Sequence, residues 1–281
     1  MRINTNVAAL NANEAAKNTG SRLNQSLEKL STGLKINKAS DDASGLAIAD
    51  KLRTQSSSLG QAIANGNSAV SLTQIADKAM AEQSNILDVV KQKLIQAATA
   101  TTSAEGREAI RKDVSKLLDQ MNNISAQTNY NGIYLLQADS TINGEASTEL
   151  TFQMGGVSDN IIISDEGVQS NVQGLNLTEL HETAELTEEQ ARGQMQVIDL
   201  AIDQLNSWRA DFGSTQNQVE SAVRNMMTQE TNIKAAESVI RDVDYAGESA
   251  NFSQQNIISQ AGTFALSQAN QVQQNVLRLL Q

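Results

Sequence analysis

The chain of 281 residues contains no cysteine, no proline, one histidine and only 3% aromatic residues. Without cysteine there is no disulfide, no thiolate metal site and no thiol nucleophile. His181 has no further His or Cys to join it, so a zinc centre is excluded and a solvated loop histidine is expected. Without proline nothing interrupts a long helix or adds a slow isomerisation step. So few rings cannot fill a thick globular core, whereas thin helical layers need fewer. Acidic residues outnumber basic ones by 32 to 21, giving a net charge of −11. That balance argues against nucleic acid or an anionic membrane surface as partner. There is no apolar run of about 18 residues to span a bilayer. The opening MRINTNVAALNAN lacks the apolar block and cleavage site of a signal peptide, leaving the cytoplasm or export without a cleaved signal. No P-loop, G-x-S-x-G or dinucleotide fingerprint occurs. Asp41 and Asp42 read as a cap for a helix opening at Ala43, and Glu188 and Glu189 as helix-start charges. No catalytic residue, cofactor or metal is expected.

Charge is also scarce where it matters most. From Ala250 to Gln281 the one charged side chain is Arg278. Apolar residues recur there at Ile258, Ala261, Ala265, Ala269, Val272, Val276 and Leu279, followed by Leu280, in helical steps of three and four. The remaining positions are rich in Gln, Asn and Ser. When identical helices pack together, each charge meets its own copies and repels them; amides hydrogen-bond without that penalty. The tail therefore reads as a self-assembly surface. The N-terminal segment has the same uncharged character at Ile3, Val7 and Leu10; the apolar spacing returns at Leu23, Leu27, Leu30 and Leu34, where Glu14, Lys17, Arg22, Glu28 and Lys29 give a more conventional outer face. Ordering about 35 residues costs roughly 1–2 kcal/mol each, which a dozen buried apolar side chains only about match. Such end helices need other helices around them.

The longest regular pattern is a row of residues seven apart: Ile198, Leu205, Phe212, Val219, Met226, Ile233 and Ile240. It predicts a coiled-coil helix starting at a capping box, Thr187 to Gln190. Partner helices are expected through Val70, Ile75, Ala79, Ile86, Val90, Leu94 and Ala97, and through Ile110, Val114, Leu117, Met121 and Ile124. The second of these opens at a Thr102–Glu105 capping box. Asn131 and Gly132 suit positive φ. Between about 138 and 178 the helical period gives way to alternation at Leu150–Met154 and an Ile161–Ile163 run, a β-hairpin pattern. Residues 139–149 and 164–183 read as polar loops. The fold class is mainly α: a long antiparallel coiled-coil rod with a small β-hairpin, plus terminal helices. The rod core is placed at Ile86, Val90, Leu94, Leu117 and the seven-residue row.

MRINTNVAALNAN, the stretch LEKLSTGLKINKASDDASGLAIADKLR, ISAQTNYNGIYLL and the ending ALSQANQVQQNVLRLL together resemble bacterial flagellin over nearly the whole chain. The resemblance implies a structural subunit that polymerises into the flagellar filament for swimming motility. It also implies three regions. Residues 1–40 and 240–281 would be helices of an inner filament-core coiled coil, and 41–239 a helical rod. The expected partners are copies of itself, the flagellar export apparatus, an export chaperone, the filament cap and hook-associated proteins. The expected location is the extracellular flagellum. Outer domains are missing between Leu136 and Thr187. At Leu87–Gln96, Val89, Gln92 and Lys93 depart from the motif read by an animal innate receptor, so weak or absent recognition is expected. Ser140, Thr141, Ser147, Thr148, Ser158, Ser164 and Ser170 are candidates for O-glycosylation, because some relatives are modified in this region. Two other readings stay open: a hook–filament junction protein and a soluble helical binding module.

Overall fold

The computed structural model describes residues 5–142, 144–155, 160–162 and 167–279, with side chains left out for 160–162 and beyond Val272. In chain order these residues form α1 (Val7–Thr32), α2 (Ala43–Ala97), α3 (Ala104–Gln127), β1 (Asn129–Tyr130), β2 (Ile133–Tyr134), β3 (Thr151–Gln153), β4 (Asn160–Ile162), α4 (Thr178–Glu182), α5 (Glu188–Arg241) and α6 (Tyr245–Leu279). Two compact units divide the chain: Ser58–Gln229, and Met1–Ser57 with Glu230–Gln281. Both α2 and α5 contribute residues to each.

Local chemistry sets the helix starts. The Asp42 carboxylate accepts from the Ser44 and Gly45 N–H groups at 3.0 and 2.9 Å and caps α2. The Gly45 N–H, then the Ser44 hydroxyl, hold the Asp42 carboxyl below its usual range. At α5 the expected capping box is complete. The Gln190 N–H donates to Thr187 Oγ1 at 3.2 Å, and the Thr187 N–H donates to Gln190 Oε1 at 3.0 Å. For α3 the cap lies one residue later than Thr102: Ser103 Oγ accepts from the Gly106 N–H at 3.1 Å. Thr102 instead donates its hydroxyl to Gln96 O.

Within the Ser58–Gln229 unit, α5 buries Ile198, Leu205, Phe212, Val219 and Met226, the expected row. On α2 the buried seam is Ala69, Leu72, Ala76, Met80, Gln83, Leu87, Val90, Leu94 and Ala97. Ile75 is exposed and Ile86 only half-buried. Leu118 rather than Leu117 takes the enclosed position on α3. The expected seams followed the bulkiest aliphatics; the real ones run through small and polar residues as well. Ile233 and Ile240 continue the α5 row into the other unit, where both are half-buried.

Two antiparallel hairpins complete this unit. β1 and β2 pair across Asn131 (φ 52°) and Gly132 (φ 82°), the two positive-φ positions of a tight type I′ turn. β3 and β4 pair Thr151 with Ile162 and Gln153 with Asn160. The turn between them, and Ile163, lie outside the described residues. Next to this hairpin Met154 packs against α2 and α5 at Gly66, where an added Cβ would meet Val223 Cγ2 at 2.5 Å and Met154 Cε at 2.7 Å.

The stretch 167–183 is not the polar loop expected from its sequence. Val168, Val172, Leu175, Leu177 and Leu180 are buried in the same core as α2, α3 and α5. Their steps of 4, 3, 2 and 3 sit on a backbone that turns rather than coils, and the Gln, Asn, Ser and Gly between them read as loop. Here a polar node is enclosed: Gln83 Nε2 lies within hydrogen-bond reach of Ser125 Oγ (2.8 Å), Ser170 O (3.1 Å) and Met121 O (3.2 Å). Gln83 Oε1 is buried without a partner.

Candidate functional site: the terminal helices

The Met1–Ser57 and Glu230–Gln281 unit is built on α1 and α6, which run antiparallel. Asn6 accepts from the Ala9 N–H, capping α1, while its Nδ2 donates to Ala269 O at 3.1 Å. Near the middle, Ala16 Cβ lies 4.0 Å from where Gly262 would carry a Cβ. Towards the other end the Ser26 hydroxyl donates to Glu248. Gly33 ends α1 in the left-handed region, φ 74°. The chain breaks after α1 and after α5 are joined by an isolated antiparallel bridge, Leu34 to Asp242. There the Lys35 N–H donates to Arg241 O at 2.6 Å and the Val243 N–H to Gly33 O at 3.0 Å.

What the pair keeps inside mixes small residues with a few large ones. On α1 the screened positions are Ala9, Ala12, Ala16, Thr19, Leu23, Ser26 and Leu30; on α6 they are Phe252, Gln255, Ser259, Gly262, Leu266 and Ala269. Most of the bulk lies outside. Phe264 is 75% exposed, Ile257 67%, Leu10 60%, Leu27 54%, Val272 53% and Val7 52%. Of the sequence-proposed assembly residues, Leu23, Leu30 and Leu34 are half-buried within the unit. Val7, Leu10, Leu27, Ile258, Ala261, Ala265 and Val272 are exposed. Ile3 and Leu280, and the side chains of Val276 and Leu279, lie outside the described residues. Sequence reasoning missed Ile257 and Phe264. They are seven apart, a helical spacing that marks them as a second apolar row beside the first.

The other expected positions separate cleanly. His181 is not a solvated loop residue: it lies on α4 with Nε2 2.9 Å from Asp119 Oδ1. Ser147 and Ser170 are corrected as modification candidates. Ser147 is buried and accepts from the Val168 N–H, while Ser170 is 0% exposed, 3.1 Å from Ser125 Oγ. Ser140, Thr141 and Thr148 are exposed; Ser158 and Ser164 lie outside the described residues. Val89 and Gln92 are exposed, and Lys93 pairs with Asp113 at 3.2 Å. Among the described residues no group of three or more acidic or histidine side chains is placed to hold a metal ion. No described helix is long and apolar enough to cross a membrane.

A mainly α chain whose paired end helices leave Val7, Leu10, Leu27, Ile257, Phe264 and Val272 exposed is a helical building block with an apolar surface suited to further helices. Comparison with known proteins gives that class its family. Residues 3–141 match the bacterial flagellin N-terminal helical region, and residues 195–280 the bacterial flagellin C-terminal helical region. Flagellin of Bacillus subtilis (strain 168) is 38% identical over 305 residues, covering 100% of both chains. The flagellar filament 33 kDa core protein of Treponema phagedenis is 34% identical over 286 residues, again covering 100% of both. A solved structure described as a flagellar hook-associated protein of Vibrio parahaemolyticus shares the fold, with TM-score 0.60 and 10% identity over 72% of this chain and 99% of that one. The chain belongs to the bacterial flagellin family, a family of structural proteins rather than enzymes.

Proposed function

We propose that this chain is the structural subunit of a bacterial flagellar filament, polymerising with copies of itself outside the cell to serve swimming motility. The observation that supports this best is the outward apolar surface of α1 and α6, from Val7 and Leu10 to Ile257, Phe264 and Val272, on helices nearly free of charge in α6. Water is a poor neighbour for such a surface, and along α6 from Ala250 to Val272 a chain-identical copy brings no like charge. In this reading residues 1–40 and 240–281 form the filament core and 41–239 the rod.

The test is direct. Concentrated purified chain should grow long filaments, seen by electron microscopy and sedimentation, and removal of residues 1–40 and 240–281 should abolish them. A chain that stays monomeric, or a trimmed chain that still polymerises, contradicts the reading. A hook–filament junction protein would give short assemblies that do not elongate alone.

Finer partners follow from the same reading. The subunit passes through the flagellar export apparatus with an export chaperone and meets the filament cap and hook-associated proteins. Val89, Gln92 and Lys93 replace the residues read by the animal innate receptor, so purified monomer should give weak or no response in a receptor reporter assay. Ser140, Thr141 and Thr148 remain candidates for O-glycosylation, which the intact mass of native protein would reveal.

A further inference from the structure

We propose that Asn131 is a site of covalent modification that needs no enzyme. The backbone nitrogen of Gly132 closes a cyclic imide on the Asn131 side chain, and water opens the ring to aspartate or isoaspartate. In the first step the Gly132 nitrogen bonds to Asn131 Cγ and the side-chain nitrogen leaves as ammonia. In the second, one water adds across either imide C–N bond. Glycine favours the closure because no Cβ shields its nitrogen. Here a Cβ on Gly132 would meet nothing within 4 Å, and both residues are exposed. In a type I′ backbone the Gly132 nitrogen points away from Asn131 Cγ, so the ring closes when the turn opens. The ladder holding the turn is two residue pairs long, Asn129 with Tyr134 and Tyr130 with Ile133. So short a ladder opens at little cost.

Other asparagines of the chain show what this one lacks. Asn65 also precedes a glycine, but it sits inside α2, where Gly66 is buried and its N–H belongs to the helical ladder. The Asn65 amide is held at both ends: Nδ2 donates to Gln153 O at 2.9 Å, and Oδ1 accepts from Gln61 Nε2 at 3.0 Å. Asn143, before Gly144, lies outside the described residues. Asn176 shares the left-handed backbone of Asn131, with φ 56°. Its neighbour Leu177, however, is 0% exposed and donates its N–H to Val172 O at 2.8 Å. The two products at Asn131 differ in consequence. Aspartate keeps the turn and adds one negative charge. Isoaspartate puts an extra methylene into the main chain of a two-residue turn, so the ladder cannot close in register beside Leu135 and Leu136, both 0% exposed.

The experiment needs only the full-length chain. Native protein, and protein unfolded in urea, are held in mildly alkaline buffer and then cut after Tyr130 and Tyr134, which frees residues 131–134. Mass spectrometry reads the gain that replacing NH2 by OH brings, and fragmentation separates isoaspartate from aspartate. The expected native result is a mass gain at Asn131, slower than in urea, in a mixture of isoaspartate and aspartate. Asn65 and Asn176 should stay intact in the native chain, whereas Asn65 should convert in urea. A native chain whose Asn131 stays intact while the unfolded one converts overturns the proposal. So does a native chain in which Asn65 converts as fast as Asn131. Aspartate formed without any isoaspartate would overturn the imide route.

Discussion

Gln83 is the least conventional residue of the interior. An amide at 0% exposure holds α2 to α3 and to the 167–177 stretch, while its own Oε1 goes unpartnered. Apolar side chains along a helix tolerate sliding past one another; a buried amide with fixed partners at Met121, Ser125 and Ser170 sets the register of α2 against α3 and that stretch. Gln83→Leu removes the donor facing Ser170 O and should cost about 1–3 kcal/mol. It would read as a lower denaturant midpoint with faster hydrogen exchange at residues 168–177. Unchanged exchange there would show that the node does not organise the stretch. On α3, Arg111 donates to both Glu108 oxygens at 2.7 and 2.8 Å and lowers the Glu108 pKa from 4.5 to about 2. With the folded value below the unfolded one, the stabilisation is present above pH 4.5 and fades as pH falls towards about 2. Glu108→Gln should flatten the acid side of the stability profile in that window, modestly, because the pair is near the surface.

At the scale of elements, helix ends were legible where a motif closes within four residues. Thr187 and Gln190 could be read directly, and Thr187→Ala should cost about 1 kcal/mol and fray the first turn of α5, seen as faster exchange there. Glu105, three residues after Thr102, completes the capping-box pattern and pointed to Thr102, yet the cap is Ser103, whose hydroxyl is the stronger capping group. Ser103→Ala should destabilise α3 more than Thr102→Ala. Gly33 needs no side chain for two reasons: φ is 74°, and an added Cβ would lie 2.9 Å from Tyr245 Oη. Gly33→Ala should therefore cost about 1–2 kcal/mol from backbone handedness alone, read as a lower thermal midpoint. The helices themselves, the α5 row and the hairpins' turn chemistry were visible as period. What stayed hidden lacked period or bulk: the folded 167–183 stretch, the Ala, Met and Gln positions of the α2 seam, and the two-residue strands β1 and β2.

For the molecule as a whole, the same bias explains what the candidate surface concealed. Large aliphatics were assumed to mark one contact seam, yet in α1 and α6 the contact within the chain mixes Ala, Ser, Thr and Gly with Leu23, Leu30, Phe252 and Leu266. The remaining bulky residues, Phe264 and Ile257 among them, stay exposed. A pair of helices joined by so little apolar area gains little stability from its own packing, so it should be firm only when assembled. Hydrogen exchange of α1 and α6, compared between dilute monomer and sedimented polymer, measures this most directly. Rapid exchange in the monomer and strong protection in the polymer is the expected result; full protection in dilute monomer would contradict it.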